Sequence, residues 1–119
     1  MDRFELEERL IDFAVLMLNI AKLLPDTYAG KHLGSQLIRS GTSPALNYGE
    51  AQSAESRKDF IHKNKIVLKE LRESRVCLKI VAKSNLLDNK AFLDQGLKES
   101  NELISIFVKT TKTALENTP

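Results

Sequence analysis

The stretch Ser56 to Ser84, SRKDFIHKNKIVLKELRESRVCLKIVAKS, holds neither Gly nor Pro, the two residues that most disfavour a helix interior. Any fold of this chain must accommodate a helix roughly 40 Å long at 1.5 Å per residue. Phe60, Val67, Leu71, Leu78 and Val81 recur at 7-4-7-3 spacing and share one face. Asn64 and Ser74 fall on the same line and interrupt it with polar atoms.

The remaining faces of this helix differ in character. At 100° per residue, Lys58, Lys65, Lys69, Arg72, Lys79 and Lys83 form one flank, with Val76 as its only apolar member. Asp59, Glu70 and Glu73 lie towards the opposite flank. Ile66, Cys77 and Ile80 make a second, smaller apolar line. A helix of an isolated bundle needs one apolar stripe, so a second one implies a further covering partner. Residues 56–84 hold nine basic and three acidic side chains, an excess of six positive charges; with a chain total of +2, the other residues carry a net −4. Such asymmetry produces a local field that the total conceals.

The rest of the chain supplies three more helices. Leu6, Leu10, Phe13, Met17, Ile20 and Leu24 recur at 4-3-4-3-4 spacing and predict a first helix over residues 3–24. Its second half is apolar nearly all round, which calls for burial on more than one side. Either a neighbouring copy covers it, in agreement with the partner stripe of the third helix, or the other helices of the same bundle do. Pro25 ends this helix, and Asp26 or Thr27 can cap the next. The second helix, from about Tyr28 to Gln52, has Leu33, Leu37, Ser40, Pro44, Asn47 and Ala51 on its core line. Pro44 cannot donate to the Ser40 carbonyl, so a kink or break is expected near Gly41 to Pro44. Ser56 resembles a capping residue for the third helix, with Asp59 three residues later. Asp88 is the expected cap of a fourth helix over about 89–116, with Leu93, Leu97, Ser100, Ile104, Phe107, Thr111 and Ala114 on one line; residues 117–119 are expected to fray. Short connections make neighbours antiparallel. The expected fold is an all-α, up-down-up-down four-helix bundle forming one domain over residues 1–119.

Catalytic chemistry has no evident seat. His32 and His62 lie on different helices without a carboxylate or cysteine at ligand spacing, which argues against a metal. The five glycines match no phosphate-binding loop. Asn47 and Tyr48 are expected to satisfy backbone groups freed by Pro44. The single cysteine, Cys77, excludes an internal disulfide and fits a reducing compartment. The start of the chain lacks a signal-peptide pattern, and the longest apolar run, Phe13 to Leu18, is too short to cross a bilayer. These features lead us to expect a cytoplasmic, non-enzymatic protein with no cofactor.

Two readings of the third helix remain. Its basic flank, Lys58, Lys65, Lys69, Arg72, Lys79 and Lys83, fits a phosphate track. Yet no aromatic residue interleaves with the lysines, and Lys69–Glu73 and Asp59–Lys63 are i,i+4 pairs that need no ligand. The other reading is a protein-interaction module with a solvated basic face. An interface between copies is expected at Phe13, Leu16, Ile66, Cys77 and Ile80.

The segment Gln36 to Ile80 adds a resemblance. Arg39-Ser40-Gly41-Thr42-Ser43, Asn47-Tyr48 with Glu50-Ala51, Phe60-Ile61-His62-Lys63, Leu68-Lys69-Glu70 and Glu73-Ser74 occur in order. So arranged, they resemble the bacterial four-helix-bundle proteins called 23S rRNA intervening-sequence proteins. Phe13-Ala14-Val15 and Leu24-Pro25 look similar too, so the likeness covers nearly the whole chain. It implies an antiparallel bundle assembling into a homopentameric ring. It also implies kinship with the basic, nucleic-acid-binding accessory proteins of diversity-generating retroelements. No catalytic residues come with it. The chain differs from the expected pattern at Asn64 and Cys77 and is less basic than the retroelement relatives.

Overall fold

Each helix begins and ends where local chemistry satisfies its free backbone groups. The computed structural model describes residues 1–117 and contains four helices, α1 (Arg3–Leu23), α2 (Tyr28–Gln52), α3 (Arg57–Lys83) and α4 (Ala91–Glu116). The side chains of Asp2, Thr27 and Ser56 accept from the amides of Glu5, Gly30 and Asp59, capping α1, α2 and α3. The expectation for α4 is corrected: Lys90 stands at the cap without a side-chain bond, and Asn89 Oδ1 accepts from Ala91 N at 2.9 Å in place of Asp88. At the end of α3, Asn85 takes φ 54°. The amides of Asn85 and Leu86 then return to the carbonyls of Ala82 and Val81, the paired bonds of a Schellman termination.

Successive helices pair in opposite order. Met17 abuts Gly41 while Glu7 lies near Gly49; Ser40 meets Ser74 while Glu50 meets Lys63. Leu78 abuts Gly96, and Arg75 Nη1 donates to the Leu97 carbonyl at 2.6 Å. Arg9 of α1 closes the circuit through a two-pronged bond to Glu99 of α4, at 2.6 and 2.9 Å. The resulting rod measures 50 × 21 × 21 Å.

The core is aliphatic, with Leu10, Met17, Ile20, Leu37, Val67, Leu71, Leu78, Val81, Leu93 and Leu103 enclosed around Phe13 and Phe107. The ring of Tyr48 meets Phe107 edge-on, with centroids 5.5 Å apart. Helix α2 is rotated from its expected line. Gly34, Gly41 and Tyr48 are buried, whereas Leu33 and Asn47 are half-buried. The helix is not broken at Pro44, which sits buried within an unbroken α2. Asn47 donates to the carbonyl and hydroxyl of Ser43, three residues short of the freed Ser40 carbonyl.

Small residues set how closely α1 and α2 approach. A methyl group added at Gly41 would overlap Met17 Cβ and Cγ, and one at Gly30 would overlap the Pro25 carbonyl. At Gly49 the nearest atom is Glu7 Oε1, 3.8 Å away. Gly41→Ala is therefore expected to destabilise the bundle by about 1–3 kcal/mol in urea unfolding, and Gly49→Ala to stabilise it by about 0.5–1 kcal/mol. Equal effects at the two sites would contradict this packing.

Candidate nucleic-acid interface

The outward face of α3 carries the charge. Lys58, Lys65, Lys69, Arg72, Lys79 and Lys83 are all exposed, on the side opposite the core residues Val67, Ser74 and Leu78. Among the described residues none of the six takes part in an ion pair. The sequence suggested otherwise, through Lys69–Glu73 and Asp59–Lys63. In the structure Glu73 pairs with Arg39 of α2, and Lys63 pairs with Glu50 of α2 at 2.7 Å. The acids that stood four residues from these lysines are held by the neighbouring helix or left without a bridge, and the cationic face remains open.

Arg39 is the organising residue on the opposite flank of α3. Its guanidinium bonds Glu70 at 3.1 Å and also reaches Glu73. Beneath it, Ser74 Oγ donates to Ser40 Oγ at 3.0 Å in a fully buried contact between the helices. The two carboxyls respond differently. Burial raises the pKa of Glu70, and the adjacent Glu73 adds to the rise, while Arg39 opposes it. The bond to Arg39 lowers the pKa of Glu73. Farther along the seam Cys77 Sγ faces the Leu33 carbonyl at 3.7 Å, and burial pushes its thiol up to about 11. A thiol held so firmly protonated is a packing group and a poor nucleophile.

The five residues expected at an interface between copies divide by burial. Phe13, Leu16 and Cys77 are buried within one chain, because α4 and α2 cover them. Ile66 is half-buried and only Ile80, 48% exposed, faces outward. Further open apolar surface lies on α1 and α2. Ile11 and Val15 are exposed on α1, one helical line with half-buried Leu18. Leu18 also lines a groove of about 770 Å³ with Ala21, Leu24, Pro25, Gly34 and Ile38 of α1 and α2. The 4-3 spacing of Ile11, Val15 and Leu18 was present in the sequence, but the richer stripe through Phe13 obscured it.

No cluster of metal-binding side chains occurs among the described residues. His32 is exposed and stacks on Tyr28, with centroids 6.4 Å apart. Among the described residues no helix is long and apolar enough to cross a membrane.

A four-helix bundle with an aliphatic core and one basic helix face without ion pairs among the described residues defines a class of small all-α bundle protein. Within that class the chain belongs to the 23S rRNA-intervening sequence protein family, whose pattern matches residues 3–109. It is similar to a crystal structure from Bacteroides thetaiotaomicron VPI-5482, a protein of unknown function from the S23 ribosomal protein family. The two share 28% identity at a TM-score of 0.83, over 94% of this chain and 99% of that one. No protein with a curated description matches.

The two glutamates offer a test. Glu73, with its lowered pKa, contributes stability that is present above the ordinary carboxylate range and lost as pH falls through it. Glu70, with its raised pKa, contributes the opposite sign: its ionised form costs stability at neutral pH, and protonation removes that cost. At pH 7, Glu73→Gln is expected to lower the melting temperature by an amount corresponding to under about 1 kcal/mol, since the pair is partly exposed. Glu70→Gln should leave it unchanged or raise it. Thermal unfolding of both variants at pH 7 and pH 4 reads the difference, which should shrink at the lower pH.

Proposed function

We propose that this protein is a non-enzymatic helical scaffold that assembles from several copies of itself and binds RNA or DNA along the outer face of α3. The observation that carries the nucleic-acid reading is the set of six exposed basic side chains, free of ion pairs, along roughly 40 Å of one helix. Phosphate contacts of this kind gain from counterion release and weaken as salt rises. Filter binding to structured RNA at several salt concentrations tests it. Replacing Lys65, Lys69 and Arg72 together by Gln should reduce the slope of log affinity against log salt by about 2–3, at roughly 0.7–0.9 per lost contact. The fold should survive, because all three side chains are exposed. Absent binding at low salt, or binding indifferent to salt, overturns the proposal.

The apolar surface of α1 and α2 supports self-association. Ile11, Val15 and Ile38 are exposed around a groove whose walls are Leu18, Ala21 and Leu24, a concentration of apolar surface that marks an interaction site. Five copies is the number the family resemblance implies. Light scattering is expected to give a mass well above the 13.4 kDa of one chain. Val15→Glu combined with Ile38→Glu should reduce it to one copy. A wild-type monomer would remove self-association from this reading. The alternative, an interaction module with a merely solvated basic face, is favoured by the same groove and by the lack of aromatic side chains among the lysines.

A further inference from the structure

Where α3 begins, the basic face borders an apolar hollow. Lys58, Ile61, His62 and Lys65 of α3 enclose it together with Leu115 of α4, around a volume of about 440 Å³. Ile61 is buried and forms a fixed floor, while Leu115 is 49% exposed and forms an open wall. Val108, two turns before Leu115 on the same side of α4, is exposed as well. Lys58 and Lys65 stand two helical turns apart, about 10.5 Å along the axis, and neither is engaged in an ion pair among the described residues.

We infer that this hollow receives an unpaired nucleobase, with Lys58 and Lys65 holding the phosphates on either side of it. The inference rests on the nucleic-acid reading above and deepens it from a general phosphate track to a preference for unpaired strands. A nucleotide has an apolar base face and an anionic linkage, and the hollow presents an apolar wall and a cationic rim in the same relation. In a duplex the base faces are covered by their neighbours, so only an unstacked base can enter. The wall is aliphatic, supplied by Ile61 and Leu115, and needs no aromatic residue among the lysines. An anionic amphiphile would need only the local pair of lysines. The hollow instead opens onto a row that continues through Lys69, Arg72, Lys79 and Lys83, as a polyanion requires. Contacts with base faces tolerate any sequence, so the discrimination is between unpaired and paired strands.

The test uses the full chain and a single-stranded oligonucleotide carrying one central 2-aminopurine, whose fluorescence rises when it is unstacked, with anisotropy reporting binding separately. The wild-type protein is expected to bind and raise the fluorescence. The duplex of the same sequence should bind without a rise. Leu115→Ser, at an exposed position, should abolish the rise and weaken single-strand binding by about fivefold at most, the bottom of the range for a base stacked on an aromatic ring, since Leu115 offers only aliphatic surface. Its binding to duplex should be unchanged. Binding to both strands with no rise, or a rise that Leu115→Ser preserves, overturns the base slot and leaves the phosphate track standing. No change in anisotropy with either oligonucleotide overturns both.

Discussion

The close approach of α2 to its two neighbours is the constraint from which the other features follow. Gly41 leaves no room for a side chain where Met17 of α1 crosses, and Gly30 leaves none beside the Pro25 carbonyl of the turn. On the opposite side, Ser40 and Ser74 are joined by a hydrogen bond in a fully buried contact. A buried hydroxyl pair of this kind must be satisfied within the protein, and here Ser40, accepting from Ser74, donates in turn to the Gln36 carbonyl one turn back. At this separation Arg39 spans the seam and holds Glu70 and Glu73. The acids of α3 are thereby drawn to the α2 side, and the lysines on its outer face keep their charge.

The molecule consequently shows three different sides. The α4–α1 edge is polar and paired, through Arg9 with Glu99 and Glu102. The α1–α2 side is apolar and grooved. The outer side of α3 is cationic. The first is neutralised within the chain; the proposed self-association would cover the second, and the proposed polyanion would meet the third. A protein that is a scaffold for its own copies and for a polyanion has a use for the other two.

Much of this was legible in the sequence. The limits of α2, the caps at Thr27 and Ser56 and the inward line Val67, Leu71, Leu78, Val81 follow from periodicity and capping chemistry. The rotation of α2 was not, because Gly34 and Gly41 carry no hydrophobic signal and their burial is set by Met17 and Ala21 across the interface. Phe13 and Leu16 read as surplus apolar surface since the sequence does not show how far α4 wraps α1. The pairing of the lysines was misjudged for a related reason. Local i,i+4 spacing suggests partners, but Arg39 and Glu50 lie on another helix and compete for the same groups. Asn64 retains a buried carbonyl oxygen without a partner among the described residues, a tertiary outcome that composition alone does not disclose.

The central claim is that the cationic side of α3, and not the chain's basic residues in general, meets nucleic acid. Lysine-reactive footprinting with mass-spectrometric readout, with and without a saturating structured RNA, addresses it directly. Protection confined to Lys58, Lys65, Lys69, Lys79 and Lys83, with Lys22 and Lys31 at the far side as reactive as in the free protein, is the result this account predicts. Equal protection of Lys22 and Lys31, or no protection along α3, would contradict it.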